Sequence, residues 1–140
     1  MKLCNDTITV FNARVDPDAG GNVWTPTVVT GASWYLTDAS TVDASKGGLV
    51  AANKATIRIP EDAGTGGKTW ADPVTYRNAQ SVSGLWTLQA VEIIVKGDAS
   101  LMTDPMPAKL KKAYSDCVTV LGVTDNRRAP NAPHWKVTAT

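Results

Sequence analysis

The side chains that most often do chemistry are scarce in this chain: one histidine, His134, and two cysteines, Cys4 and Cys117, in 140 residues. Nucleophilic catalysis needs a hydroxyl or thiol held beside a base, which is usually histidine. His134 runs straight into the strand-like Trp135, Lys136, Val137 and Thr138, and a lone histidine on the rim of a strand reads as a hydrogen-bonded surface group. A structural zinc needs four thiolate or imidazole ligands, and one histidine with two distant cysteines does not make that set. Carboxylates come in two pairs, Asp16 with Asp18 and Glu61 with Asp62. Each pair sits beside Pro, Gly or Asn, where acidic side chains brace turns. The run DPDAGGN at 16–22 has some likeness to a calcium loop but lacks the closing glutamate. The run GTGGKT at 64–69 ends like a phosphate-binding loop. The first glycine of that motif would have to stand at Asp62, however, and Ala71-Asp72-Pro73 argues against the helix that must follow. The expectation is no catalytic residue, no metal and no cofactor.

Basic and aromatic residues come together only near the end, in TDNRRAPNAPHWKVTAT at 124–140. Arg127, Arg128 and Trp135 could clamp phosphates and stack on bases, but Asp125 neighbours them and no basic stripe extends the patch. Pro130 and Pro133 each force extended geometry on the residue before them. Residues 125–133 therefore read as an irregular arm over the surface, with Asn126, Arg127, Arg128, Asn131 and His134 as its contact candidates. From there Trp135, Val137 and Ala139 share one face, the mark of a closing strand with one side buried.

Composition sets the frame for those residues. The apolar fraction is 43% and the charged fraction 19%, with fourteen basic against thirteen acidic residues. A single domain of this size buries roughly 70% of the surface its unfolded chain exposes, so no staple is needed. A net charge of +1 provides no global field to draw in DNA, RNA or an anionic membrane. No apolar run approaches the ~20 residues that span a bilayer, and Met1-Lys2-Leu3-Cys4 leads into a polar stretch instead of a signal-peptide core. The expected place of synthesis is the cytoplasm, with both cysteines as free, half-buried thiols.

Period-two alternation supplies the elements that must position these residues. Strands are expected at 7–11, 23–30, 32–37, 55–59, 86–88, 92–97, 118–123 and from Trp135 onward, with Pro26 marking an edge or bulge. One short helix is expected, from about Pro107 to Tyr114, with Asp104 as its cap and Lys109, Lys111 and Lys112 toward its carbonyl end. Several short strands with one helix indicate a mainly β domain, a small antiparallel barrel or sandwich. Between Trp34 and Ile59 the chain can form one long hairpin, with Trp34 opposite Ile59, Leu36 opposite Ile57 and Val42 opposite Ala51. Its base is large and apolar and its distal half, 38–53, small and polar. That half reads as a protruding ribbon, with Asp38, Asp43, Ser45, Lys46, Gly47, Gly48 and Asn53 as candidate contact residues.

The segments DTITVFNARVDPDAGGNVW, GASWY, NKATIRIP, EIIVKG and TVLGVTDNRRAPNAPHWKV, in that order, carry a resemblance. They are similar to the small head–tail connector proteins (head-completion, stopper or minor capsid proteins) of tailed bacteriophages and of prophages of Gram-positive bacteria. The resemblance runs from Asp6 to Val137. It implies a β-barrel that assembles with copies of itself as a ring below the portal, gates the DNA channel and docks the tail. The implied partners are portal or adaptor and tail-completion proteins, with the passing DNA as a further contact. The implied location is the virion neck, with no membrane and no small-molecule substrate. Residues 38–53 match by position the long loop such proteins point at the channel axis, although their tip has no basic cluster. Two other readings stand beside this one: a tail-completion protein, and a host-side barrel that binds carbohydrate or peptide on exposed Trp24, Trp70 or Trp86.

Overall fold

The computed structural model describes residues 5–16, 21–37, 40–43, 48–51, 54–103 and 105–140, with side chains described except at 16, 37, 40–43 and 48–51. In chain order the elements are β1 (Asp6–Asp16), β2 (Gly21–Thr37), β3 (Ser40–Asp43), β4 (Gly48–Ala51), β5 (Lys54–Pro60) and β6 (Thr69–Trp70). There follow α1 (Pro73–Asn78), β7 (Leu85–Trp86), β8 (Ile93–Lys96), α2 (Pro107–Ala113), β9 (Cys117–Asn126) and β10 (His134–Ala139). Six of the strands close an antiparallel barrel in the order β1-β2-β5-β10-β9-β8.

The alternation that marks these strands fills the barrel. Ile8, Val10, Ala55, Ile57, Ile59, Ile94, Val118, Val120, Trp135 and Val137 point inward, joined by Trp86 and Leu88 from the β7 region. β8 breaks the alternation because Ile93, Ile94 and Val95 are all buried. Its outer face lies under α2, where Phe11, Ile93, Val95, Ala99 and Leu110 make a second small core. A strand covered on both sides reads as a continuous apolar run.

Several expectations need correction. The strands expected at 23–30 and 32–37 are one, β2, because Gly31 at φ 85° takes an extra residue into the ladder opposite Asp6 and Thr7. A bulge of this kind bends a strand without ending it. A second helix, α1, stands where Ala71-Asp72-Pro73 argues against one. Asp72 caps it by accepting from the Thr75 amide at 2.9 Å, and Pro73 occupies the first helical turn. Proline there gives up only a donor that has no intrahelical partner in any case. The helix expected at 107–114 is α2, whose N-cap is Met106, without a side-chain cap bond. Asp104 lies outside the described residues.

The long hairpin forms, shifted by two residues from its expected register. Trp34 pairs with Ile57 and Leu36 with Ala55, not with Ile59 and Ile57. Three residues on along each strand from Thr37↔Lys54 comes Ser40↔Ala51, and Val42 faces Leu49. β3 and β4 therefore continue the β2–β5 ladder without a slip, as a two-stranded sheet with no other strand partner among the described residues.

Candidate interaction site

The C-terminal stretch is a hairpin. β9 extends to Asn126, and β10 pairs back along it from His134↔Asn126 to Val137↔Val123. The residues expected to form an irregular arm are thus the end of β9 and a loop at 127–133, turned by the Ala129 amide donating to the Asn126 carbonyl at 3.1 Å. His134 Nδ1 lies 2.7 Å from the Ala132 carbonyl and its Nε2 3.4 Å from Asn126 Nδ2. Both contacts are satisfied by a neutral ring that donates from Nδ1 and accepts at Nε2. Two of the predicted contact residues are therefore turned on each other.

Arg127 is turned inward as well. Its Nε and Nη2 hold the Asp125 carboxylate at 2.8–3.1 Å, and this bonding keeps Asp125 ionised well below the usual carboxylate range. Its guanidinium lies 5.1 Å from the Trp135 ring centroid and 5.5 Å from that of Trp70, within cation–π reach of both. Beneath it three indoles pack together. Trp70 and Trp135 lie tilted at 4.5 Å, and Trp86 meets each of them edge-on at 5.1 and 5.2 Å. The parallel β6–β7 pair, Trp70↔Trp86, holds this cluster over one end of the barrel. Trp86 and Trp135 are buried and Trp24 and Trp70 half-buried, so Trp86 offers no exposed platform. Arg128 and Asn131 are exposed in the loop.

At the ribbon, Asp43↔Gly48 is the last described pair. Asp38, Ser45, Lys46, Gly47 and Asn53 lie outside the described residues, as does Cys4. Cys117 is a free thiol whose pKa is raised by burial. In the GTGGKT run, Gly66 and Gly67 take positive φ, and Lys68 Nζ bonds the Pro26 carbonyl and Thr27 Oγ1 at 2.8 and 2.9 Å. That lysine bolts the loop to β2. Among the described residues no group of three or more His, Cys, Asp or Glu is arranged to hold a metal.

Sequence reasoning missed the most unusual group in the molecule. β8 is short and pairs with β1 only at residues 8–11 and with β9 at 117–119. Beyond that point the wall between β1 and β9 is filled by residues 87–92. Glu92, 1% exposed, stands in for a strand there. Its carboxylate accepts from the Ala13 amide at 2.7 Å, Asn12 Nδ2 at 3.0 Å, the Gln89 amide at 3.1 Å and Gln89 Nε2 at 3.0 Å. Burial pushes its pKa up to about 7 against the pull of those four donors. Just before it, Val91 is 74% exposed and holds φ 68°, a conformation hard on a β-branched residue. Its amide donates to the Val120 carbonyl at 2.8 Å. The partners of Glu92 on β1 lie some 80 residues away, so no local pattern could have identified it.

A shallow cleft of about 380 Å³ lies between the start of α1, residues 88–90 and β9, floored by Trp70 and Trp135 and covered in part by Arg127. A family described only as of unknown function, DUF6751, matches residues 3–140 of the chain. No curated protein and no solved structure matches it.

Proposed function

We propose that this chain, which belongs to the DUF6751 family, is a structural protein of tailed-phage particles. It would form a ring at the head–tail connector below the portal, close or gate the DNA channel and dock the tail. One observation carries the reading: a closed barrel sends out a two-stranded ribbon, in register with its own wall, that pairs with no other strand among the described residues. Unpaired strand edges are templates for another chain, and identical bodies joined head to tail form a ring where the rotation between neighbours closes. The resemblance of the strand segments to neck proteins supplies the setting. The test is quantitative mass spectrometry of purified particles, together with a variant whose residues 38–53 are replaced by a two-residue turn. Ring stoichiometry relative to the portal is expected, with the shortened chain folding as a monomer yet yielding heads without tails. Absence from particles, or normal assembly by the shortened chain, would sink it.

The cleft favours a second reading, a carbohydrate- or peptide-binding module. Its ring faces are largely taken, because Arg127 covers Trp70 and Trp135, and Trp86 meets both edge-on. A Trp fluorescence shift on titration with oligosaccharides would revive it.

A further inference from the structure

The cleft over the tryptophan cluster already holds a cation of the chain's own. Asp125 on β9 pairs directly with Trp135 on β10, so a carboxylate and an indole share one face of the sheet at the end of the barrel. The Arg127 guanidinium lies across both, 2.8 Å from the carboxylate and within 5.1 and 5.5 Å of the Trp135 and Trp70 ring centroids. Several features make that side chain an occupant able to leave. Arg127 lies just past the end of β9. Its side chain and that of Asp125 are 37% and 50% exposed, and ion pairs so open to solvent hold weakly. Asp125 does not depend on the guanidinium for its place. Its Oδ1 also accepts from the Arg127 backbone amide at 3.0 Å, a bond that stays when the side chain swings out. The two rings are braced independently, since Trp86 meets both edge-on. Beside the guanidinium the cleft continues as about 380 Å³ of open space.

The surrounding charges favour a cation over an anion. Asp72 lines the cleft on the α1 side, accepting from the Thr75 amide and hydroxyl and entering no ion pair among the described residues. Glu61 lies within electrostatic reach of Arg127, and Arg128 within reach of Asp125. Asp72, Asp125 and Glu61 thus stand against Arg127 and Arg128, a net negative surround. We propose that the cleft binds an arginine side chain of another polypeptide, which takes the place of Arg127 between Asp125 and the rings of Trp70 and Trp135. A guanidinium suits the site because it meets a carboxylate with two parallel donors and stacks on aromatic faces. Its methylene stem would lie against Leu88 and Val123, which line the same cleft. Arg127 is then an internal competitor that covers the rings until a partner arrives.

The inference is independent of the connector reading, which particle composition judges; it rests on the second reading and narrows that reading to one side chain. The experiment is an NMR titration of the whole chain, labelled at the tryptophan indole nitrogens, with an arginine blocked by acetyl and methylamide groups. Binding shifts the indole signals of Trp70 and Trp135 saturably and leaves that of Trp24 in place. Blocked citrulline, which has the same shape without the charge, shifts neither. Arg127→Ala removes the competitor and tightens binding roughly tenfold, the factor by which a weak ion pair and the cation–π contacts keep the site closed. Arg127→Gln gives the same gain if the alanine variant does not fold. Asp125→Asn in the Arg127→Ala background lowers affinity by about tenfold or more. No saturable shift in either the unmodified or the Arg127→Ala chain overturns the proposal. Equal shifts with citrulline, or an Arg127→Ala chain that binds no more tightly, do the same. Preference for free arginine over the blocked form overturns the assignment to a polypeptide. A shift with oligosaccharides and none with arginine would leave the second reading standing and end this inference.

Discussion

Glu92→Gln removes a proton site while keeping the side chain's shape, and its effect can be worked from the folded and unfolded affinities. The carboxyl takes up a proton near pH 7 in the folded chain against 4.5 ordinarily. Between those values the native state holds more protons than the unfolded one, so stability falls as pH rises. The shift corresponds to about 3 kcal/mol in full, of which about 2–3 kcal/mol is lost between pH 5 and pH 8. Stability contributed by this group is complete below about pH 4.5 and gone above about pH 8. Asp72, Asp98 and Asp125 shift the other way, held down by hydrogen bonds from Thr75, Ser100 and Arg127. They act below the ordinary carboxylate range and leave the window to Glu92. Urea unfolding followed by tryptophan fluorescence, at fixed ionic strength, measures the change, since Trp86 and Trp135 lie in the core. The unmodified chain is expected to be weaker at pH 8 than at pH 5 by that amount, and the glutamine variant to vary by less than about 1 kcal/mol. A flat profile for the unmodified chain, or an undiminished slope in the variant, refutes the reasoning.

Three further outcomes follow from the packing. Val91→Gly should stabilise by about 0.5–1 kcal/mol, the relief of a left-handed β-branched residue less the added freedom of glycine; a lower thermal midpoint would contradict this. Gly64 bridges Thr30 with amide–carbonyl distances of 2.8 and 3.0 Å, and a Cβ there would stand 2.4 Å from Thr30 Oγ1. Gly64→Ala should therefore cost about 1–3 kcal/mol, largely restored in a Thr30→Ala background when the two are compared in a double-mutant cycle. Trp135 buries its Nε1 without a partner among the described residues. Trp135→Ala should cost about 3–5 kcal/mol, while Trp135→Phe, which removes the unpaired donor, should cost less than half as much by the same urea assay.

How much of this was legible in the sequence depends on how local each signal is. The strand at 55–59 and the closing strand from Trp135 are written in their own alternation, and Ile57, Ile59, Trp135 and Val137 point where it places them. The hairpin's existence was equally clear, but its register was not. A shift of two residues keeps every side chain on its face, so Trp34 opposite Ile59 and Trp34 opposite Ile57 satisfy the same pattern, and only the turn decides. α1 was missed because proline after aspartate is both a break and a start, and the signal that separates them, the Thr75 amide reaching Asp72, is made in three dimensions. Arg127 looked like a free hand because its partners on the aromatic side include Trp70, far upstream in the chain. Arg58 on β5 and Lys136 on β10 are cross-strand neighbours, a closeness that comes from strand order and not from any run in the sequence.

β2 explains why the buried glutamate and the ribbon belong to one design. At about 3.3 Å per residue, a strand that runs from Gly21 to Thr37 is longer than the barrel wall it helps to form. One end is the β1–β2 hairpin, reaching past β8, and the other is the root of the β3–β4 extension. A load on the extension in an assembly would pass along this strand, through the bend at Gly31, into a hairpin whose β1 residues 12–16 pair with β2 and have no second strand on their other side among the described residues. Glu92 and Gln89 secure that edge at Asn12 and Ala13, and Arg14 adds a bond to the Ala79 carbonyl. An apolar residue at 92 would leave the Ala13 amide without its acceptor, at a cost of about 1–3 kcal/mol for an unpaired buried group, and would leave Asn12 Nδ2 with the Thr87 carbonyl alone. The carboxylate is the one side chain of that length able to take all four donors at once. Its desolvation is what the barrel tolerates to keep the far end of its longest strand fixed.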